Sequence, residues 1–356
     1  MKLNAKKMLA AALALAMSLA LVSCGNGGGS SSSGSGSGSG SGSDAGSGST
    51  GGSSSVSDEA ANFPEREITV VVPYDAGGAS DMTSRIAATG LSEALGGATV
   101  LVENRSGGTG SVGMNYARSA AADGYTICYI PVEIVMQEIL GISDIVPDDF
   151  DFIGRMTEVP AALTVPIDAP YDTVQEFIAY ATEHPGEVTV GNSGTGSIWH
   201  IAATLIEQET GVQFNHIPYD SAASAVTSLM GGHIDAVTVN AGEVLSGVEA
   251  GRLKILALMT EERDEVTFSD IPTMKECGYD IVIGGWGAFA VPAGTPQAIV
   301  DKLSDALESA CASQDFIDFI SQNGMIVHYS NAADTRAFVD EQYTFFNDML
   351  SNMELN

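Results

Sequence analysis

The chain has 356 residues, with 14 Lys and Arg against 45 Asp and Glu, and a formal net charge of −31. That charge excludes nucleic acid as a partner, because a polyanion is repelled at every distance. A hydrophobic content of 44% excludes disorder throughout.

Lys2, Lys6 and Lys7 precede an almost wholly apolar run over residues 8–22, and no acid occurs before Asp44. The run is short for a membrane-spanning helix and fits the core of a signal peptide. It ends in Leu21-Val22-Ser23-Cys24-Gly25, the pattern of a bacterial lipobox, whose cysteine is acylated and becomes the first mature residue. Residues 1–23 are thus expected to be removed, leaving Cys24 as a lipid anchor on the outer face of the bacterial cell membrane. Residues 24–62 read as the anchor and its tether, since 28 of the 33 residues over 25–57 are Gly or Ser. Such a coil buries no apolar surface and reaches about 30 Å. Cys128, Cys277 and Cys311 are odd in number, lack metal spacing and sit among apolar neighbours, so they are expected as small buried hydrophobes.

From residue 63 onwards the pattern alternates between strand and helix. A β-branched run over 68–72 leads through a glycine-rich turn to a helix with Met82, Ile86, Leu91 and Leu95 on one side, stopped by Gly96-Gly97. Strands follow at 99–102 and 125–130, with a short helix over 112–121 between them. After residue 160 the rhythm returns, with strands at 162–165, 188–190, 214–217, 234–239 and 253–259 and helices over 173–183 and 197–209. A strand at 288–291 precedes Thr295-Pro296, after which residues 297–350 read as nearly all helical. About 290 residues exceed one ordinary core, and the alternation predicts two α/β lobes with parallel, doubly wound sheets.

Two glycine-rich turns join a strand to a helix, PYDAGGASD over 73–81 and GNSGTGS over 191–197. Free backbone N–H groups and the helix dipole favour an anion at such a place. Ser80 adds a hydroxyl, and Asp81 is placed to cap the helix and to pair with Arg85 four residues on. One loop alone reads equally well as a plain turn; two, one per lobe, suggest a carboxylate held between them. Gly108 to Gly113 also matches G-x-G-x-x-G with Glu133 twenty residues later. It follows the second strand rather than the first, which argues against a dinucleotide. No catalytic set assembles, because Thr195 stands where a G-x-S-x-G elbow needs glycine. His200 and His216 lack a further ligand at metal spacing and read as packing or capping groups. Trp199 and Trp286 fit either a cleft wall or the core. No metal, cofactor or enzymatic activity is expected.

Seven stretches resemble the substrate-binding receptors of tripartite tricarboxylate transporters, also called the Bug family. In family order they are PYDAGGASD (73–81), VENRSGGTG (102–110), DGYT (123–126), GTGSIWH (194–200), HIPYD (216–220), GGHID (231–235) and PAGTP (292–296). The resemblance implies a two-lobed periplasmic-binding-protein-like fold of type II, doubly wound, with a hinge and a ligand cleft that closes. Lobe one would comprise residues 63–162 and 288–356, and lobe two residues 163–287. Carried over to this sequence, a ligand carboxylate would meet Tyr74, Gly77, Gly78, Ser80 and Asp81 in lobe one. In lobe two it would meet Ser193, Gly194, Thr195, Ser197, Tyr219 and Ser221. The implied partners are a small carboxylate or amino-acid ligand and the membrane subunits of a transporter. A ligand-sensing subunit for a membrane signalling partner and an extracytoplasmic hydrolase remain the rival readings.

The chain departs from the family pattern at Asp75 and Ser106, where Pro is usual, and at Asp220-Ser221, where Lys-Gly is usual. Asp75 and Asp220 fall in loops that the resemblance places at the cleft, and Glu133 and Glu158 follow strands that point towards it. These four acids are candidates for specificity. In a low-dielectric cleft they would favour a ligand with a carboxylate at one end and a cationic or strongly hydrogen-donating group at the other, or a bound metal cation. The alternative is that they face solvent as part of a generally acidic surface.

Overall fold

The computed structural model describes residues 61–263 and 267–351; the expected signal peptide, Cys24 and almost all of the expected tether lie outside them. The first elements are β1 (Ile68–Val72), α1 (Ala79–Ala94), β2 (Val100–Asn104), α2 (Ser111–Arg118) and β3 (Thr126–Pro131). A long strand, β4 (Phe150–Pro166), follows, then α3 (Val174–Glu183), β5 (Thr189–Asn192), α4 (Ile198–Thr210) and β6 (Asn215–Pro218). Next come α5 (Ala222–Met230), β7 (Ala236–Asn240), α6 (Ala241–Glu249) and β8 (Leu253–Leu258). The chain closes with β9 (Gly284–Pro292), α7 (Gln297–Cys311), α8 (Gln314–Gln322), β10 (Ile326–Asn331) and α9 (Ala332–Leu350).

The strands form one curled, mixed sheet in the order β2-β1-β3-β9-β4-β7-β5-β6, with β8 and β10 also on β4. Parallel pairing, as the alternation predicts, holds within β1–β3 and within β5–β7. Around β4 every pairing is antiparallel. The single β4 strand therefore serves both halves: residues 150–160 pair with β9, and residues 161–166 pair with β7 and β8.

The exchange of partners happens where Pro160 removes a ladder N–H and Gly284 lies opposite. A Cβ on Gly284 would stand 2.7 Å from the Val159 carbonyl oxygen, so only glycine permits this crossing. Beside it Ala161 donates to the Ile283 carbonyl (3.1 Å) and Met259 to the Ala161 carbonyl (2.8 Å).

Three features differ from the sequence expectations, each for a physical reason. Most of β4 is unpredicted, because it is buried on both faces and carries Asp151, Gly154, Arg155, Glu158 and Pro160, which break any alternation. Residues 297–350 are not all helical; β10 interrupts them, a short strand whose polar His328, Tyr329 and Ser330 hide its period. On α1 the buried residues are Ala79, Asp81, Thr83, Ser84, Ala87, Ala88 and Leu91, so of the expected bulky stripe Leu91 is buried while Met82, Ile86 and Leu95 are half-buried. Small residues win there because α7 approaches closely: a Cβ on Gly90 would lie 2.5 Å from the Ala310 Cβ. Cys128 and Cys311 are buried, Cys277 is half-buried, and all three are free thiols.

Candidate functional site

A cavity of about 470 Å³, its open mouth included, lies between the C-terminal ends of β1, β3, β5 and β7 and the crossing of β4 with β9. Five of the sequence-predicted contact residues line it: Tyr74, Gly78, Ser80, Ser193 and Ser221. Trp199 and Trp286 supply wall, as the cleft reading of the tryptophans expects.

Glycine chemistry and one carboxylate shape the first turn. Gly77 holds φ +92°, a left-handed conformation that favours glycine, and its N–H donates to Asp81 Oδ2 (2.9 Å). Asp81 also accepts from Asn104 Nδ2 (2.9 Å) and pairs with Arg85 (2.8 Å), as the i,i+4 spacing predicts. Burial alone would raise the Asp81 pKa, but the Arg85, Gly77 and Asn104 hydrogen bonds hold it below the usual value. Its oxygens are committed to the turn, and it does not line the cavity. Nor does Asp81 cap α1: Gly78 is the N-cap, with no side-chain cap bond.

The second turn is self-capped. Ser197 Oγ accepts from His200 N (3.2 Å), and His200 Nδ1 faces Gly196 N (3.0 Å). Burial, with His216 beside it, lowers the His200 pKa to about 4, so the ring is neutral and structural. His216 is engaged by Glu207 (3.1 Å), and among the described residues no cluster of three or more His, Cys, Asp or Glu could hold a metal.

Two buried glutamates fill the helix N-termini from across the cleft. Glu133 follows β3 and accepts from Ile198 N, the first amide of α4, at 3.0 Å. Glu243, on α6, accepts from Ala79 N, the first amide of α1, at 2.8 Å. Its second oxygen accepts from Asn240 N (3.3 Å) at its own helix start. Both acids line the cavity. Burial raises the Glu133 pKa against the opposing Ile198 bond, and raises that of Glu243 to about 7 against Ala79 N. A Cβ on Gly78 would stand 3.1 Å from Glu243 Oε1, so the space over that glycine belongs to Glu243. Trp286 Nε1 is buried without a partner among the described residues, while the Tyr74 hydroxyl lies against Glu133, and burial with that carboxylate beside it raises its pKa; both residues line the cavity. The cleft thus combines an unspent indole donor and cavity-lining hydroxyls with two carboxylates that hold a proton unusually well.

The other predicted residues lie elsewhere. Gly77 and Thr195 are exposed outside the cavity; Gly194 packs on Thr109, and Thr109 Oγ1 donates to the Thr195 carbonyl (3.1 Å). The G-x-G-x-x-G stretch is therefore a contact with the second turn. Ser197 is committed to its cap, and the Tyr219 hydroxyl donates to Ser228 Oγ (2.5 Å). Among the acids, Asp220 is exposed, and Asp75 accepts from Ser106 Oγ (2.5 Å) and Ser224 Oγ (3.3 Å). Glu158 borders a different cavity, leaving Glu133 as the one of the four in this cleft. Glu243 was missed from the sequence; its only signal was the capping-box spacing with Asn240, three residues before it.

The family described as "Tripartite tricarboxylate transporter family receptor" matches residues 83–355. The chain belongs to this family. Its members are binding proteins, so the chain is a receptor and not an enzyme. Protein BugT of Bordetella pertussis is 30% identical over 288 residues, 80% of this chain and 88% of that protein. A TctC solute binding protein from Polaromonas, solved with no ligand, is 37% identical, with a TM-score of 0.60 over 82% of this chain and all of that one. MatC from Rhodopseudomonas palustris, solved with bound malate, is 26% identical, with a TM-score of 0.75 over 80% of this chain and 99% of that one. The receptor thus has a two-lobed fold of the periplasmic-binding-protein kind, and the ligand-bound relative is nearer in shape although further in sequence.

Proposed function

We propose that this receptor is held outside the bacterial cell by a lipidated Cys24 and traps a small carboxylate that also carries a cationic or strongly hydrogen-donating group. It delivers this ligand to the membrane subunits of a tripartite tricarboxylate-type transporter. The lobes are residues 63–162 with 288–356, and residues 163–287, moving about the β4–β9 crossing. The observation that carries the ligand class is the burial of Glu133 and Glu243 in the same cleft as the Tyr74 hydroxyl and the unpartnered Trp286 indole N–H. A carboxylate takes the donors, with help from Ser80, Ser193 and Ser221; an ammonium takes the glutamates, which would repel a second negative charge. The malate bound to MatC supports the carboxylate half of this reading.

A thermal-shift screen of carboxylates and amino acids tests it. A good ligand adds about 2.7 kcal/mol at a hundred times its dissociation constant. Stabilisation by an α-amino monocarboxylate but not by the matching hydroxy acid is expected; the reverse order overturns the proposed ligand class. For the anchor, Cys24→Ala is expected to free the protein from membranes with binding intact. Membrane retention in that variant contradicts the lipid anchor.

A further inference from the structure

A second cavity, about 1530 Å³ with its mouth included, opens beside the β4–β9 crossing and shares only Val159, Gly285 and Trp286 with the cleft. Its chemistry differs from that of the cleft. Arg155, on β4, lines it with a side chain only 6% exposed. The guanidinium carbon lies 3.9 Å from the centre of the Phe338 ring, and Nε has no partner among the described residues. Its nearest carboxylate, Glu158, stands 3.6 Å away and is held at 2.7 Å by His328 on its outer side. A buried cation so weakly paired is costly unless an anion completes it. Burial already pulls the Arg155 pKa down, a sign of the same unmet demand.

Trp286 stands on the other side of the Phe338 ring. Its ring meets Phe338 edge-on at 5.5 Å, and its buried Nε1 is unpartnered. Arg155 and Trp286 therefore flank one aromatic ring at the inner end of the cavity. The outer walls are apolar and wet: Val282 is 39% exposed, Ile326 46% and Phe345 52%. Glu261 and Glu262 stand at the same cavity and disfavour a second negative charge there.

We propose that this cavity is a second binding site, for an amphipathic monocarboxylate whose head pairs with Arg155 and whose hydrocarbon body covers Phe338, Ile326 and Phe345. A single buried cation sets the charge, and the exposed aromatic and aliphatic wall sets the body. The site is independent of the ligand class assigned to the cleft.

Calorimetry on the full chain with 3-phenylpropanoate, and with 3-phenylpropan-1-ol as its uncharged match, tests this. The acid is expected to bind at least tenfold tighter than the alcohol. Arg155→Gln is expected to erase that preference, and Phe345→Glu, at an exposed position that leaves the fold alone, to weaken the acid at least tenfold. A paired Ser80→Ala and Ser193→Ala change in the cleft is expected to leave 3-phenylpropanoate binding as it was. Equal binding of acid and alcohol overturns the proposal, as does loss of binding in the serine variant, which would put the acid in the cleft. Should Arg155→Gln not fold, undiminished binding by Phe345→Glu overturns it.

Discussion

The two glycine-rich turns look alike as sequence and are built differently. The turn after β1 leaves its helix without a side-chain cap and is tied down from beneath by Asp81, Arg85 and Asn104. The turn after β5 caps itself through Ser197 and His200. Yet the first amide of each helix ends on a buried glutamate from the other side of the cleft, Glu243 for α1 and Glu133 for α4. A glycine-rich strand-to-helix turn advertises a vacant anion site. Here both vacancies are met internally, so the cleft must recognise its ligand by what is left: hydroxyl and indole donors, and two acids.

The contrast breaks most sharply at Asp81. Asp81→Ala strips an acceptor from Gly77 N, Asn104 and Arg85 at once, and is expected to lower stability by about 3 kcal/mol in urea unfolding. Because its pKa is depressed in the fold, the loss is present above the ordinary carboxylate pKa and fades as pH falls through the lower native value. A loss under about 1 kcal/mol at pH 7 would show that the first turn does not depend on this carboxylate.

Glu243 is the converse case. Its native pKa of about 7 lies above the unfolded value, so its contribution is full below about pH 4.5 and is lost as pH rises through 7. Glu243→Gln is expected to match wild type near pH 4.5 and to exceed it by about 2 kcal/mol at pH 8. A gain that does not depend on pH contradicts the assignment.

The smallest effects separate the turns as ligand contacts. Ser80→Ala is expected to weaken ligand binding by about 1 kcal/mol, whereas Thr195→Ala, outside the cavity, is expected to change it by less than about 0.5 kcal/mol. Equal losses in calorimetry would mean that the second turn grips the ligand as the first does.

What was legible in the sequence follows the same division. The elements of β1–β3 and β5–β7 stand out because each strand is a short apolar or β-branched run bounded by turn residues and helices. The crossing does not, because β4 is buried on both faces and owes its straight run through Pro160 to Gly284, more than a hundred residues away. In the site, Gly78, Ser80 and Ser193 were readable from loop chemistry, and Tyr74 and Ser221 from the family resemblance alone. Asp81 and Ser197 were readable as polar turn residues, but their partners, not their types, decide that they build the turns rather than meet the ligand. Glu133 was visible as an acid beyond a strand. Glu243 was not, since nothing local reports that a first-turn helix glutamate reaches an amide 164 residues earlier.

The central claim is that the paired acids select for a cationic group on the ligand. L-Alanine and L-lactate share a skeleton and one carboxylate and differ by an ammonium against a hydroxyl, so titration calorimetry of both at pH 6 and pH 8 measures that choice alone. The account expects alanine to bind at least tenfold tighter, with the gap widening as pH rises through 7 and Glu243 ionises. Lactate binding as tightly as alanine at both pH values would contradict it.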